Sequence, residues 1–185
     1  ATRFENAQQA ARDYSEELVP DAMWTIPPET GSHAYLAGHE MVEGVSIADN
    51  IRPDPRYIAI DNEVLGLTDG EIAFTVPGAD LTFPSILFAS LATSIQPHLQ
   101  IPTAEQFPTY YNTAIRTLGP VLALGTNSPF LPPDLYTDVS EPRRLVEQTN
   151  HELRIAVFEQ SVNESPNPKV RVPRDIAETT EVVDR

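Results

Sequence analysis

The chain has 185 residues, 27 of them acidic and 12 basic, with a formal net charge of −15 and no cysteine. Such a charge repels nucleic acid and anionic lipid headgroups, and the absence of thiols excludes disulfides, thiolate metal sites and cysteine nucleophiles. Lys169 is the single lysine and every other basic residue is arginine. That pairing predicts a salt-adapted protein, whose self-repulsion is screened where the Debye length falls to about 3 Å at 1 M salt.

The length suits one domain, residues 1–185. The stretch from 161 to 185 reads as a less ordered tail, and the two ends read as cuts within a longer polypeptide. Arg3, Glu5, Arg12 and Asp13 interrupt any signal-peptide core at the N-terminus. No run approaches the roughly 20 apolar residues of a membrane span. A soluble cytoplasmic protein is expected, with neither nucleic acid nor membrane as partner.

In chain order, Phe4, Ala7, Tyr14 and Leu18 recur at helical spacing and predict a helix over 3–19, stopped by Pro20. Residues 24–26 suit a short strand ended by Pro27 and Pro28. Residues 31–55, rich in Gly, Pro, Asp and Asn, read as largely loop. Ile58, Ile60 and Val64 allow a strand or a helical face, with helix preferred for 57–67. Ile72, Phe74 and Val76 alternate with Glu71, Ala73 and Thr75, which predicts a half-buried strand.

A longer strand is expected from 86 to 101. In its second half Ile95, Pro97, Leu99 and Ile101 would face one side and Ser94, Gln96, His98 and Gln100 the other, successive members about 7 Å apart. Thr103 and Gln106 have capping-box spacing and open a helix with an apolar stripe through Phe107, Ala114, Ile115 and Leu118. Gly119 and Pro120 are expected to end it, and Pro108 to set a short first turn apart. The apolar run 121–124 leads to Asn127-Ser128-Pro129-Phe130. A last helix, capped by Ser140, is expected to reach about Gln160 with Leu145, Thr149, Leu153, Val157 and Phe158 inward.

Two constellations bear on chemistry. The face with Gln96 and His98 can coordinate metal or hydrogen-bond a polar substrate, although an exposed sheet face alternates in the same way. Asn127 and Ser128 lie at the end of an apolar element, as a binding loop or a plain turn would. His33, His39, Glu40 and Glu43 lie among glycines and read as loop residues before metal ligands. Arg171 and Arg174 read as surface charges rather than triphosphate contacts.

The order of Gln96 and His98 on a strand, then a helix, then Ala123-Leu124-Gly125-Thr126-Asn127-Ser128-Pro129-Phe130 resembles the glutamate-cysteine ligases and their bacterial carboxylate-amine ligase branch. Arg154 followed by Phe158, and Asp54-Pro55-Arg56-Tyr57 upstream, extend the resemblance over roughly 38–160. It implies an α+β fold, an antiparallel sheet with helices packed on one side, as part of a glutamine-synthetase-like catalytic domain.

The resemblance also implies ATP and Mg2+ as cofactors, glutamate and an amine such as cysteine as substrates, and an acyl phosphate intermediate. By position, Gln96 would be a metal ligand, and His98, Asn127, Ser128 and Arg154 would bind substrate or nucleotide. Two family strands, G-x-E-x-E with the metal carboxylates and R-x-E-x-R, have no counterpart in these residues. The rest of the same polypeptide is therefore an expected partner, and the segment alone is not expected to catalyse. The alternative is a non-catalytic ligand-binding or interaction domain that retains the ligase fold.

Overall fold

A computed structural model describes residues 2–19, 22–137, 139, 141–163 and 174–182. It is a mixed α+β arrangement whose strands form two separate antiparallel hairpins. The first pairs β1 (His39–Val42) with β2 (Val45–Ala48), and the second pairs β3 (Ile72–Val76) with β4 (Ala79–Phe83). Among the described residues the single sheet with helices on one side is thus not formed. Among the described residues neither hairpin has a third strand. Each is instead finished by a side-chain amide from a helix. Asn62 Oδ1 accepts from Ser46 N–H at 2.8 Å while its Nδ2 donates to Ser46 C=O at 2.7 Å. Gln160 does the same to Thr75, at 2.8 and 3.0 Å. An amide offers the donor and acceptor of a neighbouring strand, so Ser46 and Thr75 are paired on their open edges without a third strand.

Residues 31–55, expected as loop, contain helix α1 (Ser32–Ala37) and the first hairpin. The turn is Glu43-Gly44, with φ of 52° and 84°. Both central residues take the left-handed region that a tight hairpin needs, and glutamate there gives no sequence signal. Helix α2 (Pro55–Leu67) confirms the helical preference for 57–67. Asp54 caps it by accepting from Arg56 N–H at 3.0 Å, and Pro55 stands where no donor is needed. The second hairpin follows the alternation in the sequence, with Ile72, Phe74 and Val76 buried and Ala73 and Thr75 exposed.

The strand expected over 86–101 is absent. Residues Ile86–Leu91 wind into a 310 segment, and 93–103 run on without regular structure, with Ile95 91% and Leu99 70% exposed. Pro97 removes a ladder donor, and no neighbouring strand lies beside this stretch among the described residues. The N-terminal helix spans Thr2–Asp13, shorter than 3–19, and buries nothing. A positive φ of 62° at Ser15 follows its end, ahead of Pro20.

Helix α3 (Phe107–Gly125) follows a 310 turn at Ala104–Gln106, as Pro108 suggested, but runs through Gly119 and Pro120. Thr103 makes no capping bond to the backbone. The Glu105 backbone amide, helped by the Thr103 side chain, holds the Glu105 carboxyl below its ordinary value. No residue of α3 is buried. Asn112, however, clasps Ile176 through bonds of 2.8 and 2.9 Å to its C=O and N–H, and Arg116 pairs with Asp175.

The helix expected over 140–160 is two, α4 (Pro142–Gln148) and α5 (Arg154–Val162). Asn150 and His151, with φ of 52° and 62°, break them apart. Ser140, expected as a cap, lies outside the described residues, as do 164–173 and 183–185 of the tail. Leu145, Thr149, Leu153 and Val157 are buried all the same.

The core sits between the second hairpin, the 310 segment and α5. Phe83 stacks on Phe88 with ring centroids 5.0 Å apart, Phe74 lies tilted against Phe88 at 5.1 Å, and Leu153 and Val157 belong to the same core. Beneath the rings Asp61 is almost fully buried, accepting from Ser85 Oγ at 2.9 Å and Ile86 N–H at 2.7 Å. Ser85 Oγ in turn accepts from Leu87 N–H at 3.0 Å, so one carboxylate anchors the start of the 310 segment to α2. Among the described residues no helix is long and apolar enough to cross a membrane.

Candidate functional site

Arg154 opens α5 beside a strained turn. Two successive non-glycine residues with positive φ, Asn150 and His151, swing the chain so that Glu152 runs parallel to Ser128. Ser128 N–H donates to His151 C=O at 3.3 Å, and Leu153 N–H to Ser128 C=O at 2.8 Å. The loop 127–130 and the start of α5 are thereby one unit. Ser128 is buried, and its hydroxyl donates to Asn127 Oδ1 at 2.9 Å.

The Arg154 guanidinium gathers three parts of the chain. Its Nε and Nη2 donate to Glu152 Oε1 and Oε2 at 2.8 and 2.7 Å, a bidentate pair with a carboxylate that is 2% exposed. Nη2 also donates to Gly125 C=O at 3.0 Å, the last residue of α3, and Nη1 to Thr93 C=O at 3.1 Å. These Glu152 bonds hold the Arg154 pKa above its ordinary value. An arginine suits this role because its planar fork serves a carboxylate and two carbonyls at once. Thr93 is fixed from its other side, donating N–H and hydroxyl to Ala22 C=O, each at 2.9 Å.

Of the residues singled out from sequence, Asn127, Ser128 and Arg154 are brought to one place. Gln96 and His98 are not gathered with them on a polar face. They lie on the exposed stretch beyond Thr93, because the strand that was to hold them does not form. Beside Asn127 and Ser128 a cavity of about 330 Å³ is bounded by Thr25, Phe130 and Tyr136. The Tyr136 hydroxyl accepts from Leu131 N–H at 2.9 Å, and burial raises its pKa.

The donor set does not suit Mg2+. A hard dication wants several carboxylate oxygens, whereas Gln96 and His98 offer neutral groups on an exposed stretch. Among the described residues no three His, Asp or Glu side chains could hold an ion together. The cluster expected as loop lies on α1 and the first hairpin: His33 donates to Thr82 C=O at 3.2 Å and stacks on Phe83, and His39 in β1 donates to Ala37 C=O at 3.0 Å.

Sequence reasoning passed over Glu152 and Thr93. Glu152 is one of 27 acids, and nothing in its immediate sequence marks it as buried; Thr93 contributes only a carbonyl, which any residue has. Comparison with protein-family models, curated proteins and solved structures finds no match to this chain.

Proposed function

We propose that the chain is a segment of an ATP-dependent carboxylate-amine ligase of the glutamate-cysteine ligase type, with a glutamine-synthetase-like catalytic domain completed by the rest of the polypeptide. Its reaction is activation of a glutamate carboxylate as an acyl phosphate, followed by displacement of phosphate by an amine such as cysteine. One observation carries the reading. Gly125 and Arg154, both within the parts that resemble the family, meet at one guanidinium, which also holds Thr93 upstream of Gln96 and His98.

In this reading Arg154 is a positioning residue. Its bonds to Thr93, Gly125 and Glu152 set the relative places of the loop and the polar stretch, while Asn127 faces substrate and the buried Ser128 orients its amide through their 2.9 Å bond. Carboxylates for Mg2+ come from the remainder of the polypeptide. The test is the whole parent polypeptide with glutamate, ATP, magnesium and hydroxylamine. Glutamate-dependent formation of γ-glutamyl hydroxamate with ADP is expected, and its absence from folded parent would overturn the proposal.

The second reading, a non-catalytic binding or interaction domain, is favoured by the commitment of Arg154 to internal partners. A substrate anion would have to displace a buried carboxylate to reach it. Saturable binding of glutamate or nucleotide by the parent without hydroxamate formation would select this reading.

A further inference from the structure

A second cavity, of about 460 Å³, lies on the other side of the Met23 to Thr25 stretch from the one beside Asn127. Leu36, Leu91 and Met23 form its buried floor, and Trp24 and Tyr35, each roughly half exposed, stand in its wall. In a chain of net charge −15, none of the described residues lining this cavity is charged. Its volume is within the range of small-ligand pockets, about 300–1,000 Å³. Trp24 and Tyr35 offer ring faces to a flat partner. The Ser32 hydroxyl in the same wall is buried and without a hydrogen-bond partner among the described residues.

We propose that this cavity is a binding site for a neutral ring-bearing small molecule with one hydrogen-bonding group. Three features select that class. A charge entering an apolar, charge-free cavity loses its hydration with nothing to replace it, and an anion is further opposed by the surrounding acids. The rings favour a planar ligand. A single N–H or hydroxyl beside the ring would supply the bond that Ser32 lacks. The site is independent of the ligase reading, since no residue of the Arg154 cluster except Thr93 touches this space.

The test uses the full chain and two probes built on the same rings, neutral N-phenyl-1-naphthylamine and its anionic relative 1-anilinonaphthalene-8-sulfonate. The neutral probe is expected to bind saturably, one per chain, with quenching of Trp24, the single tryptophan. The anionic probe is expected to bind at least tenfold more weakly. Ser32→Ala should weaken the neutral probe by about two- to tenfold, the worth of one hydrogen bond. Ser90→Phe places a ring in the cavity from an exposed position and should abolish binding while leaving the circular dichroism spectrum unchanged.

Several results would overturn the proposal: more than one probe per chain, equal affinity for both probes, or full binding by folded Ser90→Phe. So would probe binding that dissociates a dimer in size-exclusion chromatography, because a second copy would then be what covers the cavity. Should Ser90→Phe misfold, stoichiometry and the neutral-over-anionic preference in the wild type decide the matter.

Discussion

Replacing Asp61 tests whether the 310 segment is held by a buried carboxylate. Asp61→Ala leaves the Ser85 hydroxyl and the Ile86 N–H, bonded at 2.9 and 2.7 Å, without acceptors in a closed interior. Each of the two stranded groups costs about 1–3 kcal/mol, so a loss of roughly 2–6 kcal/mol is expected in urea denaturation. Against a total of about 5–15 kcal/mol, that is a large share. Asp61→Asn keeps an oxygen for Ile86 and removes a desolvated charge, and should cost much less.

The two variants also differ in pH dependence. Burial raises the Asp61 pKa above its ordinary value of 3.8, against the lowering by Ile86, Ser85 and His39. A carboxyl with a raised native pKa binds its proton more tightly folded than unfolded, so its contribution is full below 3.8 and is lost as pH climbs through the native value. The stability of wild type relative to Asp61→Asn should therefore fall with rising pH across that window and then level off. A flat or rising difference would refute the claim that burial outweighs the hydrogen bonds at Asp61.

Arg154→Ala should destabilise the chain by about 3 kcal/mol by urea titration, because it strands Glu152 as an unpaired buried carboxylate; Arg154→Lys should recover little, as lysine cannot make the bidentate fork. If Arg154→Ala left stability unchanged, the positioning role would fall. Gln160→Ala should cost roughly 1–2 kcal/mol and raise hydrogen exchange at Thr75, with wild-type exchange there counting against the amide as an edge cap. Thermal unfolding should shift upward as potassium chloride rises toward molar concentration, since 27 acids repel one another with only 12 basic residues to offset them. A midpoint that is flat or falls with salt would remove the salt-adaptation reading.

What the sequence made legible is what local chemistry decides. The 71–76 strand was visible because its alternation matches its burial, and α2 because Ile58, Ile60 and Val64 share a helical face, although the same spacing also allowed a strand. The first hairpin was hidden because Glu43-Gly44 lacks the usual turn residues, and the break at Asn150 and His151 because helical spacing continues across it. Of the site, Asn127, Ser128 and Arg154 could be named from a motif. Their junction through Glu152 and two backbone carbonyls could not, since a carbonyl has no sequence signature and one buried acid looks like the other 26.

The longest run of departures from expectation lies between 86 and 125, and its members share a cause. Alternation over 94–101 and the apolar stripe of α3 are patterns that encode burial, yet Ile95, Leu99, Leu118, Val121 and Leu124 are exposed. The patterns that did match the structure, in β3 and around Leu153 and Val157, each have a facing element in the core. Alternation specifies a strand only where a neighbour supplies the ladder and a layer covers one face. Residues 93–103 have neither among those described, so their alternation produces no strand. Arg154 holds Thr93 and Gly125 together and thereby ties both ends of the stretch in which sequence pattern and burial part company.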